Sequence, residues 1–363
     1  MTDKYRIDDH KLMFHPGRID NWINGRMIYP IYMELSPSGA CNHRCTFCGL
    51  DFMGYKKRIL DTEILKTRLI EMGALGVKSI MYGGEGEPFL HQHMSEIITY
   101  TKTSSIDVAV TTNGVLMSEE IVHKTLSNIE WIKFSVNAGS KETYSNIHRG
   151  KPGDFDKAIN NIAYAVSYRN LNNLTCAIGI QMLLLPENEG EVLNLANIAR
   201  DIGVNYLVIK PYSQHTASIT HKYSGISYER YLYLAEQLVS LNTDKFNVIF
   251  RTETMKIWDK GVSDPIKKDR RYDKCLSNPF WSYIDSGGNV WGCSVYLGDE
   301  RFNYGNIYEN TFKEIWEGSK RRESLRFVET QLDVKDCRVN CRMDKINSFL
   351  WELKNPPDHI NFI

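Results

Sequence analysis

Between Tyr29 and His215 the sequence alternates short apolar runs with longer amphipathic ones, and that rhythm restricts the chain to a parallel α/β arrangement. The apolar runs are Ile31–Leu35, Val77–Tyr82, Asp107–Thr111, Trp131–Val136, Ala177–Leu185 and Tyr206–Lys210. They are rich in Val, Ile, Tyr and Met and end near Gly, Pro, Asn or Ser, as buried parallel strands do. Helix signals separate them. Asp61 and Thr62 precede an apolar stripe of Ile64, Leu65, Leu69, Ile70 and Met72, and Ser118 with Glu119 and Glu120 opens another helix with an acidic first turn. Ala158–Val166 and Glu191–Ile202 supply two more stripes. Six βα units in succession predict a parallel barrel or a doubly wound sheet. The motifs described below select the barrel: an α/β fold built on a partial (β/α)6 parallel barrel, with a small C-terminal α+β hairpin-and-helix domain.

After His215 the pattern changes. Tyr228–Leu241 reads as a helix, and a charged connector leads to Asp273. Phe280–Ile284 and Asn289–Trp291 read as two strands joined by a Ser286-Gly287-Gly288 turn, and Thr311-Phe-Lys-Glu314 reads as a capping box. The expected organisation is therefore an N-terminal extension over residues 1–29, the barrel over 30–215, a helical connector over 216–272 and a C-terminal domain over 273–363.

Lys plus Arg equals Asp plus Glu at 44 each, so no overall field draws the chain to nucleic acid or anionic lipid. Short basic runs such as 267–271 and Lys320-Arg321-Arg322 read as solvated helix faces. Met1 to Lys11 has no apolar core of a signal peptide, and no apolar stretch approaches the roughly 20 residues needed to span a bilayer. These features lead us to expect a cytoplasmic protein. There thiols stay reduced, and clustered cysteines read as metal ligands before disulfides.

Seven of the eight cysteines fall in two groups. Cys41-Asn-His-Arg-Cys45-Thr-Phe-Cys48 lies just beyond the first strand, where catalytic residues of βα barrels gather. Its spacing lets one short loop fold three thiolates around a single centre. Three ligands leave one iron of a four-iron cluster open to a small molecule, the mark of a reactive site. The alternative is a structural zinc site with His43 as fourth ligand.

The C-x3-C-x2-C spacing, with aromatic Phe47 before the last cysteine, resembles the signature of radical S-adenosylmethionine (SAM) enzymes. Further motifs of that family follow in order. Gly83-Gly84-Glu85 closes the second strand, where the family's backbone meets the methionine amino group. Thr112-Asn113-Gly114 closes the third, and Ser135 and Asn137 close the fourth, at a position used toward the ribose and methionine. Arg149 follows, within reach of the methionine carboxylate, and Gln181 lies on the fifth strand. The resemblance covers roughly residues 30–215 and implies a cluster that binds SAM and, on receiving one electron, releases a 5′-deoxyadenosyl radical. The implied electron source is an external reductant such as flavodoxin or ferredoxin.

Cys275, Cys293, Cys337 and Cys341 form the second group. The hairpin is expected to bring Cys275 and Cys293 together, and a helix carrying Cys337 and Cys341 at i, i+4 to close the site. C-x12-G-x4-C, with Tyr304-Gly-Asn-Ile307 and Phe312-Lys-Glu-Ile315-Trp316, resembles the SPASM domain in its shortened form, called twitch. Four cysteines imply one fully ligated auxiliary 4Fe–4S cluster, with a four-cysteine zinc site as the alternative. Cys176 stands alone and reads as buried packing.

A fully ligated cluster is suited to taking an electron from a substrate radical. The expected reaction is therefore oxidation of an alcohol on a polar small molecule of sugar, aminoglycoside or cyclitol type. Glu87, Lys210, Tyr212, Gln214 and His215 are the candidate substrate contacts. Of these, His215, Lys210 and Tyr212 are the catalytic candidates: His215 has the better intrinsic pKa for a proton acceptor, Lys210 needs desolvation to serve, and Tyr212 is a possible hydrogen donor. The enzymatic alternatives are an epimerase and a peptide-modifying maturase. The short segment before the first strand disfavours the maturase, since many SPASM relatives carry a recognition module there. A non-catalytic iron–sulfur carrier or zinc scaffold would need only the cysteines.

Overall fold

A computed structural model describes residues 4–7, 9–263 and 270–362. Residues 267–269 of the first basic run lie outside them. Among the described residues ten strands form one sheet: β1 Tyr32–Leu35, β2 Ser79–Tyr82, β3 Asp107–Thr112, β4 Trp131–Ser135, β5 Ala177–Leu184, β6 Tyr206–Pro211, β7 Asn247–Phe250, β8 Trp281–Ile284, β9 Asn289–Trp291 and β10 Asn303–Asn306. Their order is β10-β9-β8-β1-β2-β3-β4-β5-β6-β7. The run from β8 through β1 to β7 is parallel, whereas β9 and β10 are antiparallel to their neighbours.

Period-two burial explains why these runs became strands. Met33, Leu35, Ile80, Tyr82, Val108, Val110, Ile132, Phe134, Ile178 and Ile180 are wholly buried in one cluster with helix residues such as Leu65, Leu69, Ile97, Val122, Ile162 and Leu195. The alternate positions carry Glu34, Met81, Thr111, Lys133, Gln181 and Lys210, which face the lumen. Gly179 pairs with Tyr206, whose ring occupies the space where a Cβ of residue 179 would fall.

Three expected helix starts are present. Asp61 accepts from the amides of Glu63 and Ile64, Ser118 accepts from that of Ile121, and Thr311 and Glu314 form a reciprocal capping box. The fold exceeds the expected six strands at both edges. Within 216–272, Asn247–Phe250 adds β7 beside β6, and the segment read as one helix over Tyr228–Leu241 is instead a 3-10 turn at Glu229–Tyr231 and a short helix at Leu234–Val239. The first strand of the C-terminal hairpin, β8, pairs in parallel with β1, Tyr32 opposite Trp281 and Glu34 opposite Tyr283. The C-terminal region thus continues the barrel sheet. Among the described residues, no helix is long and apolar enough to cross a membrane.

Candidate active site

The loop after β1 is clamped from three sides. Glu87 donates its amide to the Ala40 carbonyl, and Gly86 packs so tightly that a Cβ there would fall 2.1 Å from the Ala40 oxygen. Arg44 Nη1 donates to the carbonyls of Cys41 and His43, at 2.7 and 2.6 Å. The amides of Arg44 and Thr46 donate to the carbonyls of His148 and Ile147, tying the loop to the helix Lys141–His148. Asn113, at the end of β3, donates its side-chain amide to Asn42 at 2.7 Å.

His148, which the sequence reading did not single out, sits behind this loop. Its Nδ1 lies 3.3 Å from Cys45 Sγ and its Nε2 is 2.8 Å from the Val136 carbonyl. Burial, reinforced by His43, pushes its pKa down to about 3. His43, Cys45 and His148 present ligand atoms within 4.8 Å of one another, the grouping a zinc reading calls for. However, Asp154 already holds His43 Nε2 at 3.0 Å, and the Val136 carbonyl takes His148 Nε2.

The donor set fits an iron–sulfur cluster. Burial raises all three thiols, Cys41 to about 12 and Cys45 well above its ordinary value. Cys48 raises both further, and Cys41 adds to Cys45. Three thiolates this close repel one another in a poorly solvated loop, so a polycationic centre is what makes them stable together. The three would hold the cluster, with Phe47, 9% exposed, packed edge-on against His148.

The strand-end motifs converge around this loop, but several of their side chains are occupied. Gly84 has φ +96°, and a Cβ there would overlap Ser36 and Tyr283. Gly83 leads into it from β2. The Glu85 carboxylate receives the Ser286 amide at 2.9 Å, the Ser286 hydroxyl at 3.0 Å and Arg58 at 3.2 Å, so it fastens the barrel end to the C-terminal hairpin. Glu87 is spent similarly. Its buried carboxylate accepts from Thr112 Oγ1 at 2.6 Å and from the Asn113 amide at 2.9 Å, which leaves it unavailable as a substrate contact. Asn137, at φ 57°, accepts the Leu183 amide and lies 3.3 Å from His148 Nε2. Ser135 is half-buried, Gln181 is buried on β5 and Arg149 is exposed at the end of its helix, φ 50°.

The second cysteine group also converges. Cys275, Cys293, Cys337 and Cys341 line one small cleft with Tyr296 and Asn347. Burial holds the Cys293 thiol well above its ordinary value, and Cys341, Cys275 and Cys337 each add to the effect. Four mutually repelling thiols satisfy a 4Fe–4S cluster without a further ligand. The expected helix through Cys337 and Cys341 does not form. Cys337 ends a 3-10 turn, Asn340 takes a left-handed φ of 58°, and the helix begins at Asp344. A non-glycine residue in that conformation breaks an α-helix, and here it turns the chain around the site.

A cavity of about 720 Å³ is lined by residues next to both groups. Phe47 and Gly49, which flank Cys48, line it, and so does Cys341. Lys210, Tyr212 and Ser213 from the end of β6 form part of its wall. Burial holds the Lys210 amine well below its ordinary value, aided by Lys133, Arg251 and Arg338. Tyr212 donates to Gln214 Oε1 at 3.1 Å, and burial pushes its hydroxyl up to about 12. His215 is a strut instead. Its Nε2 is 3.0 Å from the Ser294 carbonyl, its Nδ1 accepts the Ala217 amide and its ring stacks on Phe52. With both nitrogens committed, it has no lone pair to offer a substrate. Cys176 is buried in the core, away from both groups.

Residues 35–199 match the family model described as the radical SAM superfamily, and residues 275–342 match that of SPASM, an iron–sulfur cluster-binding domain. The chain is 25% identical over 300 residues to the AdoMet-dependent heme synthase of Methanosarcina barkeri, covering 80% of this chain and 82% of the relative. It is 25% identical over 199 residues to the GTP 3′,8-cyclase of Chlorobaculum tepidum, spanning 58% of that enzyme's length and 53% of its own. Among solved structures, SuiB of Streptococcus suis bound to its precursor peptide SuiA superposes with a TM-score of 0.64 at 16% identity, over 88% of this chain and 73% of that one. AnSMEcpe with bound AdoMet and a peptide gives 0.62 at 18% identity, over 88% of each chain.

Proposed function

The chain belongs to the radical SAM superfamily and carries a SPASM-type iron–sulfur domain, and from that premise we propose that it oxidises an alcohol on a polar small molecule of sugar, aminoglycoside or cyclitol type. The observation that carries this reading is the cavity lined both by Phe47 and Gly49, the neighbours of Cys48, and by Cys341. When bound, the first cluster and SAM supply a 5′-deoxyadenosyl radical, and a fully ligated auxiliary cluster supplies an acceptor for one electron.

The residues divide the remaining work. The backbone of Gly83, Gly84 and Glu85, with Asn113, Ser135, Asn137, Gln181 and Arg149, would hold the methionine and ribose. Phe47 and Tyr212 wall the reacting region from water. Lys210, held toward its neutral amine, accepts the proton of the substrate hydroxyl. Cys275, Cys293, Cys337 and Cys341 would hold the acceptor for the electron left once the carbinol carbon has lost its hydrogen atom, and Lys210 would take the hydroxyl proton, so that the substrate ends as a carbonyl. A flavodoxin or ferredoxin is the suited one-electron donor.

The test is to incubate the reconstituted enzyme anaerobically with reductant, SAM and candidate hydroxylated compounds deuterated at single carbons. Deuterium in 5′-deoxyadenosine together with a carbonyl product supports the reading. Deuterium transfer with an inverted, unoxidised product replaces it with epimerisation. Turnover of peptides alone favours the rival maturase reading, which the peptide-bound fold relatives motivate.

A further inference from the structure

The sulfurs of the second cysteine group are met by hydrogen-bond donors. Two of these come from the backbone. The Val295 amide donates to Cys293 Sγ at 3.4 Å, and the Met343 amide donates to Cys341. Two come from side chains. The Tyr296 hydroxyl lies 3.5 Å from Cys337 Sγ, and Asn347 Nδ2 donates to Cys275 Sγ at 3.6 Å. Each of the four thiols thus meets a donor.

Both side chains are held in place by other contacts. Asn347 is 1% exposed, and its Oδ1 accepts the amides of Leu276 and Ser277 at 2.7 and 2.9 Å. An oxygen committed to two amides cannot trade places with the nitrogen, so the donor faces Cys275. Tyr296 stacks on Phe302, with ring centroids 4.2 Å apart and planes 3° from parallel, which fixes where its hydroxyl points. It ends the turn Ser294–Tyr296 that follows Cys293, and His215 braces that turn through the Ser294 carbonyl at 3.0 Å. Two further polar groups lie near Cys275: Ser277 Oγ at 3.5 Å, and Asn278 Oδ1 at 2.9 Å, which accepts from the thiol. Ligation removes that thiol proton and with it the bond to Asn278. Tyr296 and Asn347 then donate to thiolates, and such charge-assisted bonds are the stronger kind.

A reduced cluster carries one more negative charge than an oxidised one. Donors to its sulfurs therefore favour the reduced form and raise the potential. We propose that Tyr296 and Asn347 are positioning residues that raise the reduction potential of the auxiliary centre and so fit it to take the substrate electron. The inference rests on the reading of that centre as an electron acceptor, and it assigns the two side chains that make it one.

The test is a redox titration followed by electron paramagnetic resonance. It uses the full chain with Cys41→Ala, Cys45→Ala and Cys48→Ala, reconstituted so that only the auxiliary signal remains. Tyr296→Phe keeps the stack on Phe302 and loses the hydroxyl. Asn347→Asp keeps an oxygen for the amides of Leu276 and Ser277 and loses the donor. At the potential where the parent is half reduced, each variant is expected to show a reduced-to-oxidised ratio about three- to ten-fold lower, ten-fold being about 59 mV. After exchange into deuterium oxide, each is also expected to lose one deuteron coupling to the cluster, which a change of charge or packing alone would leave in place. Iron content is measured alongside and is expected to match the parent. The proposal is overturned if the ratio changes less than about two-fold or rises, if the couplings persist, if both variants lose the cluster, or if the site takes zinc. Carbonyl formation by the otherwise wild-type holoenzyme, measured separately, reports on the oxidation reading. A lowered potential without that product sinks the oxidation reading alone, and product with an unmoved potential sinks the tuning role alone.

Discussion

Replacing Glu85 tests whether the barrel end and the C-terminal hairpin form one mechanical unit. The buried carboxylate receives three donors: the Ser286 amide, the Ser286 hydroxyl and Arg58. In Glu85→Ala the amide and hydroxyl lose their acceptor inside the protein, at about 1–3 kcal/mol for each orphaned group. Arg58 is 34% exposed and rehydrates at little cost. The sum is about 2–6 kcal/mol, in the range of the larger single-site effects. Glu85→Gln keeps an oxygen for the Ser286 amide, while its Nε2 replaces the oxygen that faced Arg58 and the Ser286 hydroxyl, which can turn to accept from it, so the change costs about 1–2 kcal/mol. Because burial raises the Glu85 pKa, removing its charge also recovers part of the desolvation penalty. Urea unfolding of the reconstituted variants measures both values. A result with Ala within about 0.5 kcal/mol of wild type, or Gln as damaging as Ala, refutes the argument.

Two further predictions concern Lys133 and the first cysteine loop. Lys133 titrates at about 8 in the folded protein and near 10.5 when unfolded, so the unfolded chain binds more protons between those values and stability rises with pH across that window. Lys133→Met removes that slope and stabilises the protein by about 3 kcal/mol at pH 7, as read from unfolding midpoints at pH 7 and 10. Gly86→Ala places a methyl group 2.1 Å from the Ala40 oxygen and 2.5 Å from that of Ser38. The substitution is expected to displace the first cysteine loop at a cost of about 1–3 kcal/mol and to lower its iron content while sparing the second site, which iron analysis of Cys275→Ala backgrounds resolves.

The fold was legible where burial alone dictates structure. The six central strands alternate wholly buried residues with lumen-facing ones, and Asp61, Ser118 and Thr311 marked helix starts that depend on local hydrogen bonds. By contrast, β7 is four residues long and half-buried at every position, so its sequence carries little pattern. The helix Met94–Thr103 begins without a side-chain cap and includes the β-branched Ile97, Ile98 and Thr101, and its packing overrides a weak propensity. Cys337 and Cys341 have helical spacing, yet Asn340 turns left-handed between them, a choice made by the site they enclose.

The site divides in the same way. The cysteines were readable because the chemistry demands that residue type. The roles of Glu85, Glu87 and His215 depend on partners far away in sequence, such as Ser286, Asn113 and Ser294. His148 was missed for that reason too: nothing adjacent to it signals that its ring will meet Cys45.

The most direct test of the account is the iron and its spectroscopic response to SAM. Reconstituted wild-type protein is predicted to hold about eight irons, falling to about four when Cys41, Cys45 and Cys48 become Ala and likewise when Cys275, Cys293, Cys337 and Cys341 do. After reduction, SAM is predicted to change the electron paramagnetic resonance signal of wild type and of the second variant, but not of the first. Zinc at the first triplet, or a signal indifferent to SAM when that triplet is intact, would contradict the assignment of this chain as a radical enzyme.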